Sequence, residues 1–417
     1  MFRKDLQYYK FCAYGFLKNL RFFEPFLYLF FLEKGLTYLQ IGTLITVREV
    51  MRNVLEIPTG ILADMLGRRR TMISAFSFYL ISFVIFYLTS AYGLFVVAML
   101  LYSAGDAFRS GTHKAMIFEY LRLRGQEDLK VDYYGHTRSW SQMGSALSSL
   151  LAAVIVIWSG DYAGAFLFST VPYVLDLLLL ASYPRALDGQ VRRGSWRQVW
   201  QSFREIIDEI VKAFSRSETR QALTNIALLS GAFRAVKDYY QPVLAALAVS
   251  LAVPLQGADE KQVSALLIGV IYFFLYLSTS FSSRHAGAVS RRQGTLPETL
   301  NRTLVAGLVL IAAAGLFFLL PGRWAWLTVL PFTLLYMTEN VRRPVGVAYV
   351  SSVFPSGILA TVLSTESQVR SLFAAAIAPA AGFLIDRTGV GTGLAITAAV
   401  LFFVYPLVRL KKQKAIP

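Results

Sequence analysis

The chain has 417 residues, of which 55% are hydrophobic and 16% are charged, and its formal net charge is +16. A soluble domain carries roughly 25% charged residues, so this composition, with a mean hydropathy of +0.51, excludes an ordinary soluble globular protein. The lone cysteine, Cys12, excludes an internal disulfide and a cysteine-based metal site.

Apolar stretches of about 20 residues recur along the whole chain, and each can cross a hydrocarbon core of about 30 Å as a helix. The first stretch continues past the length of a signal-peptide core and lacks a small-residue cleavage site, which predicts a membrane helix. We predict twelve spans, at residues 10–33, 38–63, 71–91, 93–118, 136–158, 163–182, 221–249, 262–283, 300–320, 325–347, 358–384 and 391–410. The expected class is an all-α, multi-pass membrane protein.

Basic residues alternate between the joints of these spans. One set of joints contains Arg3, Lys4, Arg68, Arg69, Arg70, Arg122, Arg124, Lys130, Arg284, Arg291, Arg292, Arg409, Lys411, Lys412 and Lys414, together with the segment 185–220. The other set holds little beyond Lys34, Lys261, Arg323 and Arg387. Because cytoplasmic loops carry the excess of Lys and Arg, both termini are expected in the cytoplasm. The net positive charge is therefore attributed to topology rather than to nucleic-acid binding.

Ionisable residues interrupt the first-half spans. Helix 1 carries Lys18, Arg21 and Glu24, helix 2 carries Arg48, Glu49, Arg52 and Glu56, and helix 4 carries Asp106, Arg109 and His113, with Lys114 beside them. Such groups are expensive in a membrane, so each is a candidate for function. Spacings of three and four residues place them on shared helix faces. The alternative, structural ion pairs that fix helix register, stays open for Arg21–Glu24 and Asp106–Arg109.

The longest polar joint, residues 183–220, divides six predicted spans from six. This predicts an N-terminal bundle at 1–182, a cytoplasmic linker at 183–220 and a C-terminal bundle at 221–417. Within the linker, residues 195–216 have apolar side chains at helical spacing and charges on the other side, which predicts an amphipathic helix at the membrane surface. A partner-binding role for this helix is the alternative.

The second half contains fewer ionisable residues within its spans. Helix 7 reads "GAFRAVKDYYQPV", with Arg234, Tyr239 and Gln241 before Pro242, which can break the helix. Helix 10 contains Glu339, and helix 11 contains Arg370.

The joint between helices 2 and 3 reads "GILADMLGRRRTM". Together with six plus six spans and a central linker, it resembles the major facilitator superfamily, whose signature at this joint is G-x-L-A-D-x-x-G-R-[RK]. The matching residues are Gly60, Leu62, Ala63, Asp64, Gly67, Arg68 and Arg69. The resemblance implies two six-helix bundles around a central cavity lined mainly by helices 1, 4, 7 and 10.

The resemblance also implies roles for the motif residues. Asp64 is expected to cap the start of helix 11 in the opposite bundle, and Arg68 to pair with an acid near the inner end of helix 4, for which Glu119 is the candidate. Gly60 and Gly67 are expected to permit the tight turn and close helix contact. These residues form the expected inner gate.

Arginine is prominent among the intramembrane charges, and its fork suits carboxylates and phosphates. We therefore expect a transporter of a small polar, anionic or zwitterionic solute, working by alternating access. The expected substrate-binding residues are Arg21, Glu24, Arg48, Arg52, Asp106, Arg109, Arg234, Tyr239, Gln241, Glu339 and Arg370. Protons are the expected coupling ion, bound by Glu24, Glu49, Asp106 or His113.

Three alternatives remain at this level. Multidrug efflux is the first, although helix 5 lacks the G-P-x-x-G-G element that drug antiporters carry. An intramembrane enzyme is the second, but the chain has no H-E-x-x-H or G-x-S-x-G motif. A sensor is the third. No cofactor or metal is expected, and the resemblance implies a monomer in a bacterial inner membrane.

Overall fold

The computed structural model describes residues 4–189, 217–252, 259–354 and 356–411, together with isolated positions between 197 and 215. Helices make up nearly all of these residues, and no strand occurs among them. The predicted amphipathic helix at 195–216 lies largely outside the described residues.

The helices follow the apolar stretches of the sequence closely. In chain order they are α1 (Leu6–Leu17), α2 (Leu27–Glu33), α3 (Tyr38–Leu66), α4 (Arg68–Leu88), α5 (Tyr92–Arg109), α6 (Thr112–Leu123), α7 (Lys130–Ser159), α8 (Gly164–Ala181), α9 (Ser217–Val236), α10 (Tyr240–Ala252), α11 (Glu260–Gln293), α12 (Leu296–Phe318), α13 (Val329–Val353), α14 (Ser356–Thr388) and α15 (Val390–Val408). Within the described residues, seven are long and apolar enough to cross a membrane, namely α4, α7, α8, α11, α12, α14 and α15. The prediction of an all-α protein with several membrane helices is confirmed.

The predicted span 10–33 is not one helix. Helix α1 ends at Leu17, and a 3-10 turn at Glu24–Phe26, with Pro25 at its start, leads into α2. Proline fixes its own φ and lacks a backbone N–H, so it begins a helix more readily than it continues one. The expectation that Arg21 and Glu24 share a helix face is therefore wrong.

The predicted span 93–118 is also broken. Helix α5 ends at Arg109, and Gly111, with φ +74°, precedes the start of α6 at Thr112. Only Asp106 and Arg109 of the predicted helix 4 face remain in one helix, because His113 lies beyond the break.

The predicted span 221–249 breaks as expected, although upstream of Pro242. Helix α9 ends at Val236, and a 3-10 turn at Lys237–Tyr239 leads into α10. Pro242 then lies in the first turn of α10, where a missing N–H costs no helical hydrogen bond.

The described residues form two compact units. The first comprises Met1–Phe30, Val50–Glu205 and Ile268–Phe273, and the second comprises Phe31–Glu49, Ile206–Leu267 and Phe274–Pro417. In the first unit, α4 packs on α5 and α8, and α1 packs on α7. Its core is aromatic: the ring centroids of Phe23 and Phe166 are 4.7 Å apart, and those of Phe83 and Tyr173 are 4.9 Å apart.

In the second unit, α9 packs along α14, and α12 packs on α13 and α15. Arg342 of α13 is fully buried in this core. Its Nη2 donates to the backbone oxygen and Oδ1 of Asn225 at 2.6 and 2.7 Å, and its Nη1 donates to Thr303 Oγ1 at 2.8 Å and to the Leu300 carbonyl. These bonds join α9, α12 and α13, because a guanidinium carries five donors in a rigid fork.

The start of α3 also belongs to the second unit, where it is capped from α14. Asp386 accepts hydrogen bonds from the N–H groups of Tyr38 and Leu39 at 2.9 and 2.8 Å. Thr37 and Gln40 form a reciprocal capping box, with N–H to side-chain distances of 3.0 and 3.2 Å. The first three N–H groups of the helix are therefore satisfied, two of them by a residue distant in sequence.

Candidate functional site

A cavity of about 340 Å³ lies within the first unit, between α1, the α5–α6 break and α7. We call it the basic cavity. Its ionisable lining residues, apart from tyrosines, are Lys18, Arg109, His113, Lys114 and Arg138. Its neutral polar lining includes Asn19, Thr137, Ser141, Gln142 and Ser145. No carboxylate is among the described residues that line it, so the wall attracts negative charge.

A larger cavity, of about 840 Å³, lies in the second unit beside α12 and the end of α15. Glu298, Arg302 and Arg409 are among its lining residues, so its charges are mixed. None of the residues expected from the sequence to bind substrate lines it. We therefore take the basic cavity, which includes Arg109 and His113, as the candidate site.

Arg109 enters the cavity wall from the end of α5. Its Nη2 lies 3.1 Å from Asp106 Oδ1, and its Nε donates to Tyr79 Oη at 3.0 Å. Tyr79 Oη in turn donates to Asp106 Oδ1 at 2.5 Å. Asp106 therefore bonds both Tyr79 and Arg109. Asp106 does not line the cavity, whereas Arg109 does.

Lys18 follows α1, and Lys114 and Arg138 stand on α6 and α7. The Lys114 ammonium lies 5.3 and 5.4 Å from the ring centroids of Phe118 and Tyr134, within the range of cation–π contacts. These contacts hold Lys114 without cancelling its charge. The three cations come from separate segments of the chain, and they meet because α1 packs on α7 and α6 also contacts α7.

His113 lies where α6 begins, next to α1. Its ring stacks on Tyr14 with centroids 3.6 Å apart, and its Nε2 is 3.2 Å from Tyr183 Oη. The predicted proton-coupling residue His113 is thus placed by aromatic stacking and one hydrogen bond.

The other first-unit residues predicted for the site surround Asp106. Arg21 Nε donates to Tyr173 Oη at 3.1 Å. Arg21 and Arg52 are both close enough to Asp106 to stabilise its charge. Glu24 lies in the 3-10 turn that precedes α2. None of Arg21, Glu24 and Arg52 is among the residues that line the basic cavity.

In the second unit, Glu49 pairs with two other predicted residues, Arg48 and Arg234. Glu49 is 2% exposed, and its Oε2 lies 2.7 Å from Arg234 Nη1 while its Oε1 lies 3.3 Å from Arg48 Nη2. Arg234 also donates to Ser371 Oγ at 3.1 Å. Each carboxylate oxygen of Glu49 thus has a guanidinium partner, an arrangement that favours a fixed ion pair.

The remaining predicted residues of the second unit are dispersed. Glu339 Oε1 lies 3.6 Å from Arg343 Nε, and Arg370 Nη1 lies 3.7 Å from Glu366 Oε1. Tyr239 packs near Tyr38, with ring centroids 5.6 Å apart. Gln241 is fully buried near the start of α10.

Of the predicted gate residues, Gly67 and Arg68 lie at the turn between α3 and α4. Gly67 has φ +89°, a conformation that favours glycine. Arg68 Nη1 lies 3.9 Å from Glu119 Oε2 and donates to the Ala115 carbonyl at 3.2 Å. Gly60 lies inside α3, so the expectation that it permits the tight turn is wrong. The side chain of Asp64 lies outside the described part of the chain.

Glu119 pairs more closely with Arg122 than with Arg68. Arg122 donates to its two oxygens at 2.5 and 3.1 Å. These hydrogen bonds, with the charges of Arg122 and Arg68, hold the pKa of the Glu119 carboxyl below its ordinary value.

The sequence analysis did not assign several residues to these sites. Lys18, Lys114 and Arg138 line the basic cavity, and Asp188 caps α4 by accepting from the Arg69 N–H at 2.7 Å. The signal for the three cations was present, since each lies within or beside a predicted span. Their convergence depends on helix packing, which spacing along one helix does not reveal.

Known proteins share this sequence pattern and fold. The family model of the Major Facilitator Superfamily matches residues 11–365. The Uncharacterized MFS-type transporter YxaM of Bacillus subtilis (strain 168) is 20% identical over 356 residues, covering 84% of this chain and 82% of the relative.

Two solved structures have the same fold. The nucleoside transporter NupG matches with a TM-score of 0.74 at 14% identity, covering 98% of both chains. A POT family transporter in complex with 5-aminolevulinic acid matches with a TM-score of 0.70 at 15% identity, covering 96% of this chain and 95% of that one.

These matches confirm the resemblance seen in the motif and the prediction of a transporter rather than an enzyme. With a family match over most of its length and several membrane-crossing helices, the chain belongs to the Major Facilitator Superfamily and is an integral, multi-pass membrane transporter.

Proposed function

We propose that this transporter moves a small polar solute that carries negative charge, anionic or zwitterionic, with proton coupling and by alternating access. The basic cavity supports the proposal, because Lys18, Arg109, Lys114 and Arg138 line it without a carboxylate among its described lining residues. Lysine and arginine donate charge-assisted hydrogen bonds to carboxylate, sulfate and phosphate oxygens. The positive charge of the same cavity wall would repel a lipophilic cation.

The proposal extends to the arrangement of the chain. It comprises twelve spans in two six-helix bundles, 1–182 and 221–417, joined by a cytoplasmic linker at 183–220. Both termini lie in the cytoplasm of a bacterial inner membrane, and the protein is a monomer. The asymmetry of loop Lys and Arg supports this orientation, and the relative from Bacillus subtilis supports a bacterial membrane.

Among the residues predicted for the site, we assign Arg109 to direct substrate binding. Arg21, Arg52 and Asp106 form the charged layer behind it. We assign the ion-paired residues of the second unit to the transport cycle rather than to direct solute binding. They are Arg48, Glu49, Arg234, Glu339 and Arg370. Glu24, Tyr239 and Gln241 remain candidates for solute contact, and Gly60, Asp64, Gly67, Arg68 and Glu119 remain the candidate inner gate.

The substrate class can be tested by thermal shift with purified protein, because a ligand that binds the folded state raises its melting temperature. The probes are sulfate, 5-aminolevulinic acid, uridine and tetraphenylphosphonium. We expect sulfate or 5-aminolevulinic acid to stabilise the protein and tetraphenylphosphonium to have no effect. Stabilisation by tetraphenylphosphonium alone would contradict the proposal and favour multidrug efflux.

A variant pair then tests the cavity. Lys18→Gln removes a cation from the wall, whereas Lys10→Gln removes an α1 cation that bonds Ser182 and is absent from the wall. Since a hydrogen bond to a charged group contributes about 1.5–3 kcal/mol, we expect Lys18→Gln to weaken sulfate binding roughly tenfold or more. The Lys10→Gln variant should bind sulfate with the affinity of the wild type. Equal affinities in the two variants would reject the basic cavity as the anion site.

A further inference from the structure

We infer that Asp176 is the proton-binding group of this transporter and that its protonation controls how strongly the basic cavity attracts an anion. This inference rests on the proposed function and adds the residue that links proton and substrate. Asp176 was not among the residues predicted for coupling, which were Glu24, Glu49, Asp106 and His113.

Asp176 differs from the other buried acids in its surroundings. It lies on α8 in the run "VLDLLLL", and it is fully buried. Both of its carboxylate oxygens lack a hydrogen-bond partner among the residues that the structure describes. By comparison, Asp238 is 3% exposed and lies 2.6 Å from Lys237 Nζ.

This environment suits a neutral acid. An ionised carboxylate that is removed from water without a close partner costs several kcal/mol, and a buried carboxyl avoids that cost by holding a proton. A buried polar group without a partner in a native fold also calls for an explanation. Reversible proton binding explains why an acid occupies this apolar helix.

Asp176 is coupled to the basic cavity through the groups that face it. Lys18, which follows α1, and Arg109, at the end of α5, are near enough to Asp176 for their charges to act on it through space. Tyr14 of α1 and Tyr183 beyond α8 also interact with it electrostatically. Lys18, Arg109 and Tyr14 are lining residues of the cavity, and Tyr183 Oη contacts His113 Nε2 at 3.2 Å.

The coupling has a definite sign. When Asp176 is ionised, its negative charge offsets part of the field of Lys18 and Arg109, and the cavity attracts an anion less. When a proton from water neutralises Asp176, the full positive field acts on the cavity. By linkage, a bound anion strengthens proton binding by the same factor. Proton and anion therefore bind together, which favours symport.

Infrared difference spectroscopy of the full chain in liposomes tests the proton site without a transported substrate. A protonated carboxylic acid has a carbonyl stretch that an ionised carboxylate lacks. We expect this band in the wild type, its loss in Asp176→Asn and its retention in Asp238→Asn, the matched buried acid with an ion-pair partner. A band that is unchanged in Asp176→Asn overturns the inference.

Sulfate binding at several pH values tests the coupling. In the wild type we expect affinity to fall roughly tenfold or more as Asp176 loses its proton, whereas Asp176→Asn should keep the high-affinity value across that range. His113→Gln separates any contribution of the imidazole. A pH dependence identical in the wild type and Asp176→Asn overturns the inference.

The two proposals fail in different ways. If sulfate affinity depends on Lys18 but not on Asp176 at any pH, the anion cavity stands and the coupling role of Asp176 is rejected. If sulfate affinity does not depend on Lys18, the anion cavity is rejected, and the link from Asp176 to substrate is rejected with it.

Discussion

Glu49 and Arg234 form a buried ion pair across 185 positions of sequence, with Oε2 and Nη1 2.7 Å apart. Removing one partner leaves the other charge without its main compensation, which typically costs about 3–5 kcal/mol in a buried pair. We expect Glu49→Gln and Arg234→Gln each to lower the free energy of unfolding in mixed micelles. The double variant should lose less than the sum, with a coupling of about 0.5–3 kcal/mol. Additive losses would show that the pair contributes no interaction energy.

The cap of α3 provides a local test. Asp386→Ala removes the acceptors of the Tyr38 and Leu39 N–H groups. Loss of a helix cap costs about 0.5–2 kcal/mol, so hydrogen exchange in the peptide covering residues 37–42 should accelerate. Exchange at the start of α4, which Asp188 caps instead, serves as the internal control. Unchanged exchange at residues 37–42 would contradict the role of Asp386.

Close packing of α3 on α14 provides a second test. A Cβ at Gly42 would lie 2.5 Å from the Ala378 carbonyl oxygen and 2.8 Å from Pro379 Cα, both backbone atoms. We expect Gly42→Ala to destabilise the protein by about 1–3 kcal/mol, as overpacking does. Gly93→Ala is the matched control, because no atom lies within 4 Å of a Cβ there. It should be neutral or slightly stabilising. A neutral Gly42→Ala would show that the helices can separate at no cost.

Arg342 should resist even its most similar replacement. Lysine keeps the charge but lacks the planar fork that reaches Asn225, Leu300 and Thr303 together. We expect Arg342→Lys to destabilise the protein by roughly 3 kcal/mol, since hydrogen bonds to charged groups contribute about 1.5–3 kcal/mol each.

The neighbouring Arg343 provides the matched control for Arg342, because its side chain is 53% exposed. Arg343→Lys should change stability by no more than about 0.5 kcal/mol. Equal melting temperatures for the two variants would contradict the structural role of Arg342.

Glu119 gives a pH-dependent prediction. Its pKa is lowered in the folded protein by hydrogen bonds from Arg122, so its stabilisation is present above the unfolded-state pKa and is lost as the pH falls through the folded-state value. Glu119→Gln should therefore melt below the wild type at about pH 7, and the difference should vanish at strongly acidic pH. When Arg122→Gln is also present, the effect of Glu119→Gln on the melting temperature at neutral pH should be smaller. A difference that persists at strongly acidic pH would point to packing rather than charge.

Much of the fold was predictable from the sequence, because apolar length alone decides whether a segment can cross a bilayer. The motif from Gly60 to Arg69 likewise led to the family that the comparison then confirmed. Helix continuity was less predictable. Hydrophobic periodicity did not reveal the breaks after Leu17 and Arg109, because the apolar stretches that run through them are long enough to span the membrane. The residues that accompany the breaks, Pro25 and Gly111, are types that often interrupt helices.

The sequence by itself determined that this is a helical membrane transporter, with charges inside its spans that must find partners or water. Only the tertiary structure decided which charges meet. Glu49 meets Arg234, Lys18 and Arg138 meet at one cavity, and Asp176 is left without a close partner among the described residues. The physical reason is that spacing along the sequence determines which residues share a face of one helix. Which faces meet depends on how the helices pack and on where a helix is broken.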